Sequence, residues 1–365
     1  MSLIPLSQMV TFSPNKNIPI HRWFYYREGF SKAFVDWAIE TYSLSSPVLD
    51  PFCGVGTTLL ACKENSLSSI GCDVSPLGRF VSQTKTRNYD IVELQKEFSL
   101  LKKIDFSSLH EIKLESWVAK RFHPRSFREL VTVKKFLNHE YKKNPLHDIA
   151  LLALIDQTLR VSNVKRMGAS LRRVKKGYLP VKKFWLKKIE LMLKDLKKSP
   201  SLGIESVVLD DDARLLRKVD TASISSIITS PPYLNKIEYA SAYKLELALF
   251  FDEPKTQLRS FVGENVHDSN GESALPIVDA YMQDMEKCLK QMHRVLVESG
   301  KAVINVAGGA FPDRIVNSDE LLLEKAIELG FTVEDNHVAR TLDAYHRHSG
   351  FVGKTTERVF VIKKE

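Results

Sequence analysis

Seven short apolar runs, bounded mainly by Ser, Gly, Pro, Asp and Glu, occupy the two ends of this chain. They are SPVLD (46–50), SSIGCD (68–73), ESVVLD (205–210), ISSIIT (224–229), KAVINVA (301–307), FTVEDNHVA (331–339) and ERVFVIKK (357–364). Runs this short suit buried strands better than helices. Helical patterns separate most of them, including DAYMQDMEKCLKQMHRVLVESG (279–300) and SDELLLEKAIELG (318–330). Strands alternating with helices predict an α/β fold with a mostly parallel, doubly wound sheet. Only a short polar stretch separates the last two runs, which predicts a closing antiparallel hairpin.

The stretch from 93 to 200 differs in character and divides the chain into a body (1–92 and 201–365) and an insert (93–200). Trp185, Ile189, Met192 and Leu196 recur at helical spacing, with Lys183, Lys187, Lys194 and Lys198 on other faces. Phe127, Leu130 and Val131, and the run from Ile149 to Leu159, show similar periodicity. Between these helices, residues 161–180 read as a loop rich in basic residues: Lys165, Arg166, Arg172, Arg173, Lys175 and Lys176. The net charge of +9 is unevenly spread, because residues 113–200 hold 23 Lys+Arg against 7 Asp+Glu. The rest of the chain holds 30 basic and 37 acidic residues, so a mildly acidic body carries a strongly basic insert. That asymmetry points to a polyanion partner.

Composition excludes several classes. A hydrophobic share of 44% with 9% aromatics is that of a folded protein, not a disordered one. No run approaches the roughly 18 apolar residues of a membrane span. The segment MSLIPLSQMVTFSPNKN has no basic start and no adequate apolar core for a signal peptide. Cys53, Cys62, Cys72 and Cys288 form no CxxC pair, so neither a zinc knuckle nor a disulfide scaffold is expected. The expectation is a soluble protein of a reducing compartment, the cytoplasm. No metal site is expected: no HExxH occurs, and His346 and His348 in AYHRHSG read as surface or loop residues. No GxSxG elbow occurs. No Pro-Cys dipeptide occurs either, which argues against cytosine C5 chemistry through a cysteine nucleophile.

Two motifs carry the chemistry. In Asp50-Pro-Phe-Cys-Gly-Val-Gly-Thr-Thr58 a glycine turn follows an apolar run and precedes a helix. Gly54 and Gly56 let the backbone pass close to a ligand, and the helix N-terminus beyond favours an anionic group. Leu59 stands where the third glycine of the dinucleotide fingerprint would be, and no Gly-Lys-Ser/Thr follows, so the phosphate loop of nucleoside triphosphatases is excluded. Asp73, at the end of the next apolar run, is placed to accept from ribose hydroxyls. Asp50 lies too far inside the motif for a surface charge; it orders the loop or accepts from an ammonium group.

The second motif, Ile227-Ile-Thr-Ser-Pro-Pro-Tyr-Leu-Asn235, runs an apolar strand directly into a proline pair. Two prolines fix φ and remove both N–H donors, leaving rigid outward carbonyl acceptors. The exocyclic amine of a nucleobase is a poor nucleophile because its lone pair is delocalised into the ring. A serine oxygen and a proline carbonyl, each accepting one amine N–H, would draw that nitrogen toward tetrahedral geometry. Tyr233 would supply a stacking face for a base that has left the helix.

Together these motifs, in this order, resemble the S-adenosylmethionine-dependent amino-methyltransferases of DNA, which modify cytosine N4 or adenine N6. His21-Arg-Trp-Phe-Tyr-Tyr-Arg-Glu-Gly-Phe30 resembles the family's segment before the glycine turn, and Leu209-Asp-Asp-Asp-Ala-Arg214 its acidic strand end. The resemblance covers the body and implies a Rossmann-like methyltransferase fold ending in the antiparallel hairpin, with the helical basic insert added. It implies that Tyr26, Phe30, Asp50, Phe52, Gly54, Gly56 and Thr57 hold S-adenosylmethionine, with Asp73 on the ribose and Asp212 on the adenine amine. It implies catalysis by Ser230, Pro231, Pro232 and Tyr233 on double-stranded DNA with a flipped base. The insert, with Lys165, Arg166, Arg172, Arg173, Lys175 and Lys176, would be the target-recognition region. It enters before the Asp-Ala-Arg strand, earlier than the family's arrangement leads one to expect.

The expected activity is therefore methyl transfer by direct in-line attack of the amine, without a covalent enzyme intermediate. Ser230 favours cytosine N4 over adenine N6, by association with the family. A cognate restriction endonuclease is a conceivable partner. Alternatives are an RNA or tRNA base amino-methyltransferase, and a non-catalytic nucleic-acid-binding module on the same fold.

Overall fold

The computed structural model describes residues 4–106, 115–167, 170–199, 203–234, 239–251, 275–311, 314–346 and 350–365. Its central sheet has seven strands: β1 (Val48–Asp50), β2 (Ser69–Cys72), β3 (Ser206–Leu209), β4 (Ile224–Thr229), β5 (Leu296–Ala307), β6 (Phe331–His346) and β7 (Gly350–Lys364). Each of the seven apolar runs contributes to one of them. The spatial order is β3-β2-β1-β4-β5-β7-β6, with β3 to β5 parallel and β7 antiparallel to both β5 and β6. The chain thus builds outward from β1 to β3 and then returns to place β4 on the other side of β1. That reversal opens a crevice beyond the carboxyl ends of β1 and β4, where open α/β sheets bind their ligands.

The helices flanking this sheet include α1 (Lys32–Tyr42), α2 (Thr57–Glu64), α3 (Pro76–Thr86), α4 (Ile91–Leu101), α5 (Pro124–His139), α6 (His147–Val161), α7 (Val181–Lys198), α8 (Lys244–Phe250), α9 (Leu275–Val295) and α10 (Ser318–Glu328). The expected apolar stripe of α7 is buried at Trp185, Ile189, Met192 and Leu196, while Lys183, Lys187, Lys194 and Lys198 are exposed. Trp185 also donates from its indole to the Ala150 carbonyl of α6 at 2.7 Å.

The insert does not pack around a core of its own. Leu130, Ile149, Trp185 and Ile189 join Trp23, Phe24, Leu77 and Val81 in one continuous apolar cluster on one face of the sheet. Asp195 of α7, fully buried, reinforces this junction. It accepts from Arg22 Nε at 2.9 Å, Trp23 Nε1 at 3.1 Å and the Ile20 amide at 3.3 Å.

Two local expectations are corrected. Within the stretch expected as a loop, Val164–Met167 pairs antiparallel with Ser170–Arg173. Val164, fully buried, anchors the first of these strands, and Lys165 beside it points to solvent. The helix expected over 279–300 ends at Val295, and Leu296 already pairs with Ile224 of β4. Long-range strand pairing there overrides a helical pattern that is continuous in sequence. Among the described residues, no helix is long and apolar enough to cross a membrane. The side chains of His346 and His348 and the whole of Asn235 lie outside the described residues.

Candidate functional site

The glycine turn leaves the end of β1 and enters α2 through two left-handed residues, Gly54 at φ +49° and Gly56 at φ +75°. A side chain at Gly56 would collide with α3, since its Cβ would fall 2.3 Å from Ser82 Oγ. At Gly54 a Cβ would lie 3.3 Å from the Tyr26 ring, so the absence of a side chain keeps a gap between turn and tyrosine. Asp50 orders the turn with both carboxylate oxygens. Oδ1 accepts from the Phe52 amide at 3.1 Å and Thr229 Oγ1 at 2.7 Å, and Oδ2 from Thr58 Oγ1 at 2.6 Å. Burial pushes its carboxyl up to about 6, even against these three donors. Phe52 packs over the neighbouring core, and Thr57, buried, opens α2.

Asp73 follows β2 and lies directly against this turn. Its Oδ2 accepts from the Gly54 amide at 2.8 Å and its Oδ1 from the Ser75 amide at 2.7 Å. Burial raises its pKa. Asp212 follows β3 on the same edge. Burial alone would raise its pKa, but the hydrogen bonds and charge of Arg214 outweigh this and hold it below the usual carboxylate range. Arg214 in turn reaches Asp284 of α9 at 3.0 Å.

Ser230, Pro231, Pro232 and Tyr233 leave the end of β4, next to β1. Pro231 and Pro232 are buried, Ser230 and Tyr233 partly so. The loop is held from below. Tyr281 Oη of α9 donates to the Pro232 carbonyl at 3.0 Å, and Tyr233 Oη donates to Glu357 Oε1 at 2.7 Å. Asn305 Nδ2 of β5 donates to Tyr233 Oη at 2.8 Å.

The structure thus brings Asp50, Phe52, Gly54, Gly56, Thr57, Asp73 and Ser230 to Tyr233 onto one edge of the sheet, with Tyr26 against the turn. Phe30 lies elsewhere, buried against Phe34 at a ring separation of 4.9 Å. Of the basic candidates, Lys165, Arg172, Arg173 and Lys175 are exposed on this strand pair or just after it. Lys176 is partly covered and donates to the Arg160 carbonyl. Arg166 turns inward: its guanidinium pairs with Glu246 at 2.6 Å and lies 4.3 Å over the Tyr243 ring. Tyr243 stacks in turn on Tyr26, with centroids 5.1 Å apart and planes 14° from parallel. A column of arginine and two tyrosines therefore runs from the basic strand pair to the glycine turn.

Comparison with known proteins points in one direction. Residues 13–77, which contain the aromatic segment, the glycine turn and Asp73, match the model of a DNA methylase family. A Type II methyltransferase of Geobacillus stearothermophilus, M.BsoBI, is 28% identical over 68% of this chain and 56% of its own. Both findings support kinship with the DNA amino-methyltransferases. M.AvaI, the Type II methyltransferase of a Nostoc species, is 27% identical over 66% of this chain and 56% of its own. M.MjaII of Methanocaldococcus jannaschii is 35% identical, over 20% of this chain and 14% of its own. The chain spans about half the length of M.BsoBI and M.AvaI. The family is S-adenosylmethionine-dependent, and the turn fits that cofactor: a side-chain-free gap at Gly54 lies beside a desolvated acid at the end of β2.

Sequence reasoning missed Asn305, Glu357, Tyr281 and Tyr243, and Arg340 of β6, which pairs with Glu357. One signal was available: Asn305 is a lone amide inside the apolar run KAVINVA, and a buried polar side chain there requires partners. The others carry no local signal, because the role of Glu357, Arg340 and Tyr281 depends on which strand or helix lies beneath the proline loop, and that of Tyr243 on what packs against Tyr26.

Proposed function

We propose that this chain moves a methyl group from S-adenosylmethionine to the exocyclic amine of a base flipped out of double-stranded DNA, cytosine N4 rather than adenine N6. One observation carries this reading. The Ser-Pro-Pro-Tyr loop and the glycine turn leave adjacent strands, and Thr229, the residue before Ser230, donates to Asp50, four residues before Gly54. Cofactor turn and amine-binding loop are thereby locked into one register.

When bound, the cofactor supplies an electrophilic methyl on a sulfonium, a good leaving group. The protein's part is to position and polarise. Gly54, Gly56 and Thr57 would line the cofactor, with Tyr26 and Phe52 at its sides, Asp73 on its ribose and Asp212 at its adenine. Asp50 would act by holding the turn. Ser230 Oγ and the Pro231 carbonyl would accept the two amine hydrogens, and the Tyr233 ring would stack on the base. The names of the relatives and the family description support DNA as substrate. Serine at position 230 supports cytosine. The exposed Lys165, Arg172, Arg173 and Lys175 would contact phosphates.

The test is incubation of the chain with labelled cofactor and either genomic DNA or RNA, followed by nucleoside analysis. N4-methylcytosine from DNA is the expected product, and N6-methyladenine would correct the base. Label confined to RNA, or no product at all, would overturn the reading. Ser230→Ala with Tyr233→Ala should abolish transfer while cofactor binding persists.

A further inference from the structure

Beneath the proline loop lies a polar network, of which the transfer proposed above uses only Ser230 and Tyr233. Ser230 Oγ stands 3.2 Å from Tyr233 Oη, which is 2.7 Å from Glu357 Oε1. Asn305 Nδ2 reaches both Tyr233 Oη, at 2.8 Å, and Glu357 Oε1, at 3.2 Å. Arg340 of β6 pairs with the other carboxylate oxygen, Glu357 Oε2, at 2.5 Å. Glu357 and Asn305 are each only 1% exposed.

Counting hydrogens fixes the direction of every bond. A carboxylate has no hydrogen to give, so the single hydrogen of Tyr233 Oη must point at Glu357. Toward Asn305 and Ser230 the tyrosine oxygen can then only accept. Ser230 in turn must give its one hydrogen to Tyr233. Both remaining lone pairs of Ser230 Oγ are therefore free to accept, and the hydroxyl cannot rotate to present its hydrogen to the target nitrogen. Were Tyr233 to donate to Ser230 instead, two oxygens without an intervening hydrogen would face each other at 2.7 Å in a desolvated site.

We propose that Glu357, in the β7 strand and outside the methyltransferase motifs, is a positioning residue that makes Ser230 an obligate acceptor for the target amine. Asn305 and Arg340 hold its carboxylate in place. The inference rests on the reading of Ser230 given above. It adds that the polarity of that serine is set 127 positions away, by a residue that touches neither base nor cofactor.

The test is steady-state methyl transfer on DNA by the full chain and four variants, with cofactor affinity and thermal unfolding measured in parallel. Glu357→Gln offers Tyr233 an amide hydrogen and so allows the chain of bonds to reverse. It should lower kcat at least about tenfold while KM for DNA and cofactor affinity stay within about twofold. Glu357→Asp, still a pure acceptor, should recover much of that loss. Tyr233→Phe keeps the stacking face and the core packing but frees the Ser230 hydroxyl, so it should show the same kcat defect. It also provides the test if Glu357→Gln does not fold. The double variant Glu357→Gln with Tyr233→Phe should be no slower than Tyr233→Phe alone, since both act through one bond. An active wild-type chain whose Tyr233→Phe or folded Glu357→Gln variant keeps its kcat overturns the inference and leaves the function intact. So do multiplicative losses in the double variant. A wild-type chain that methylates no DNA overturns the function, and this inference with it.

Discussion

Thr229 Oγ1 donates to Asp50 Oδ1 at 2.7 Å, across 179 positions of sequence. Both side chains are buried, and the bond joins the last residue of β4 to the last residue of β1. Each strand end carries one of the two motifs, so this bond sets their spacing. Replacing Thr229 by Val keeps the shape of the side chain but leaves a buried carboxylate oxygen with one donor fewer. The expected cost is about 1–3 kcal/mol of stability, read by urea unfolding. Cofactor affinity, read by calorimetry, should fall with it, because the Asp50 carboxylate loses a partner that orders the turn.

The same carboxylate should leave a signature in the pH dependence of stability. Its folded-state pKa of about 6 lies above the ordinary aspartate value of 3.8, and burial is the cause. Between those two values the native state binds more protons than the unfolded state, so this group's contribution makes stability fall as pH rises from about 4 to about 6. Over that window the loss is about 3 kcal/mol at most. Unfolding free energies of the wild type and of Asp50→Asn, measured at several pH values from about 4.5 to 7, should diverge accordingly. Parallel curves would show that Asp50 does not titrate in that range.

The basic residues of the insert should separate into two classes. Arg166→Ala leaves Glu246, 2% exposed, as a buried charge without its partner and removes the cation from the tyrosine column. It should destabilise the fold by about 3–5 kcal/mol. Lys165, Arg172 and Lys175 are exposed, and replacing all three by Ala should change stability little. For each of them that neutralises a phosphate, its removal should reduce the steepness of the salt dependence of DNA binding by about 0.9. Unfolding curves and binding isotherms at several salt concentrations distinguish the classes.

Gly56→Ala should disrupt the turn for two independent reasons. At φ +75° an L-residue is strained, and the new methyl would meet Ser82 at 2.3 Å from Oγ and 2.9 Å from Cβ. A stability loss of more than about 1 kcal/mol is expected. Ser82→Gly in the same chain should recover only part of it, because relieving the collision does not relieve the backbone. Thermal unfolding of the single and double variants checks this.

Local patterning is enough to read the elements of this protein. All seven strands, the helical insert and the α7 stripe of Trp185, Ile189, Met192 and Leu196 follow from which residues need burial and at what period. The glycine turn and the Ser-Pro-Pro-Tyr loop are equally legible, because their chemistry is written in consecutive residues. Periodicity fails where a distant partner competes with it. Leu296 continues a helical pattern but belongs to β5, since pairing with Ile224 of β4 is available to it. The strand pair Val164–Met167 and Ser170–Arg173 carries no strand alternation, because Val164 alone among its described residues is fully buried.

Arg166 shows the same division at the level of a single side chain. In sequence it is one of six basic residues in a stretch and cannot be told from Lys165. In the fold it is drawn inward by Glu246 and Tyr243, whose positions depend on how α8 meets the insert. Glu357 and Asn305 come under Tyr233 only because β7 and β5 lie on that side of β4. Burial and backbone chemistry act between near neighbours, so the order of residues along the chain dictates its elements and its two reactive motifs. Packing alone places β1 beside β4 and selects which buried polar groups meet beneath the proline loop. Those meetings join residues far apart in the chain, 72 positions for Asn305 and Tyr233 and 179 for Thr229 and Asp50, and no local period records the partner.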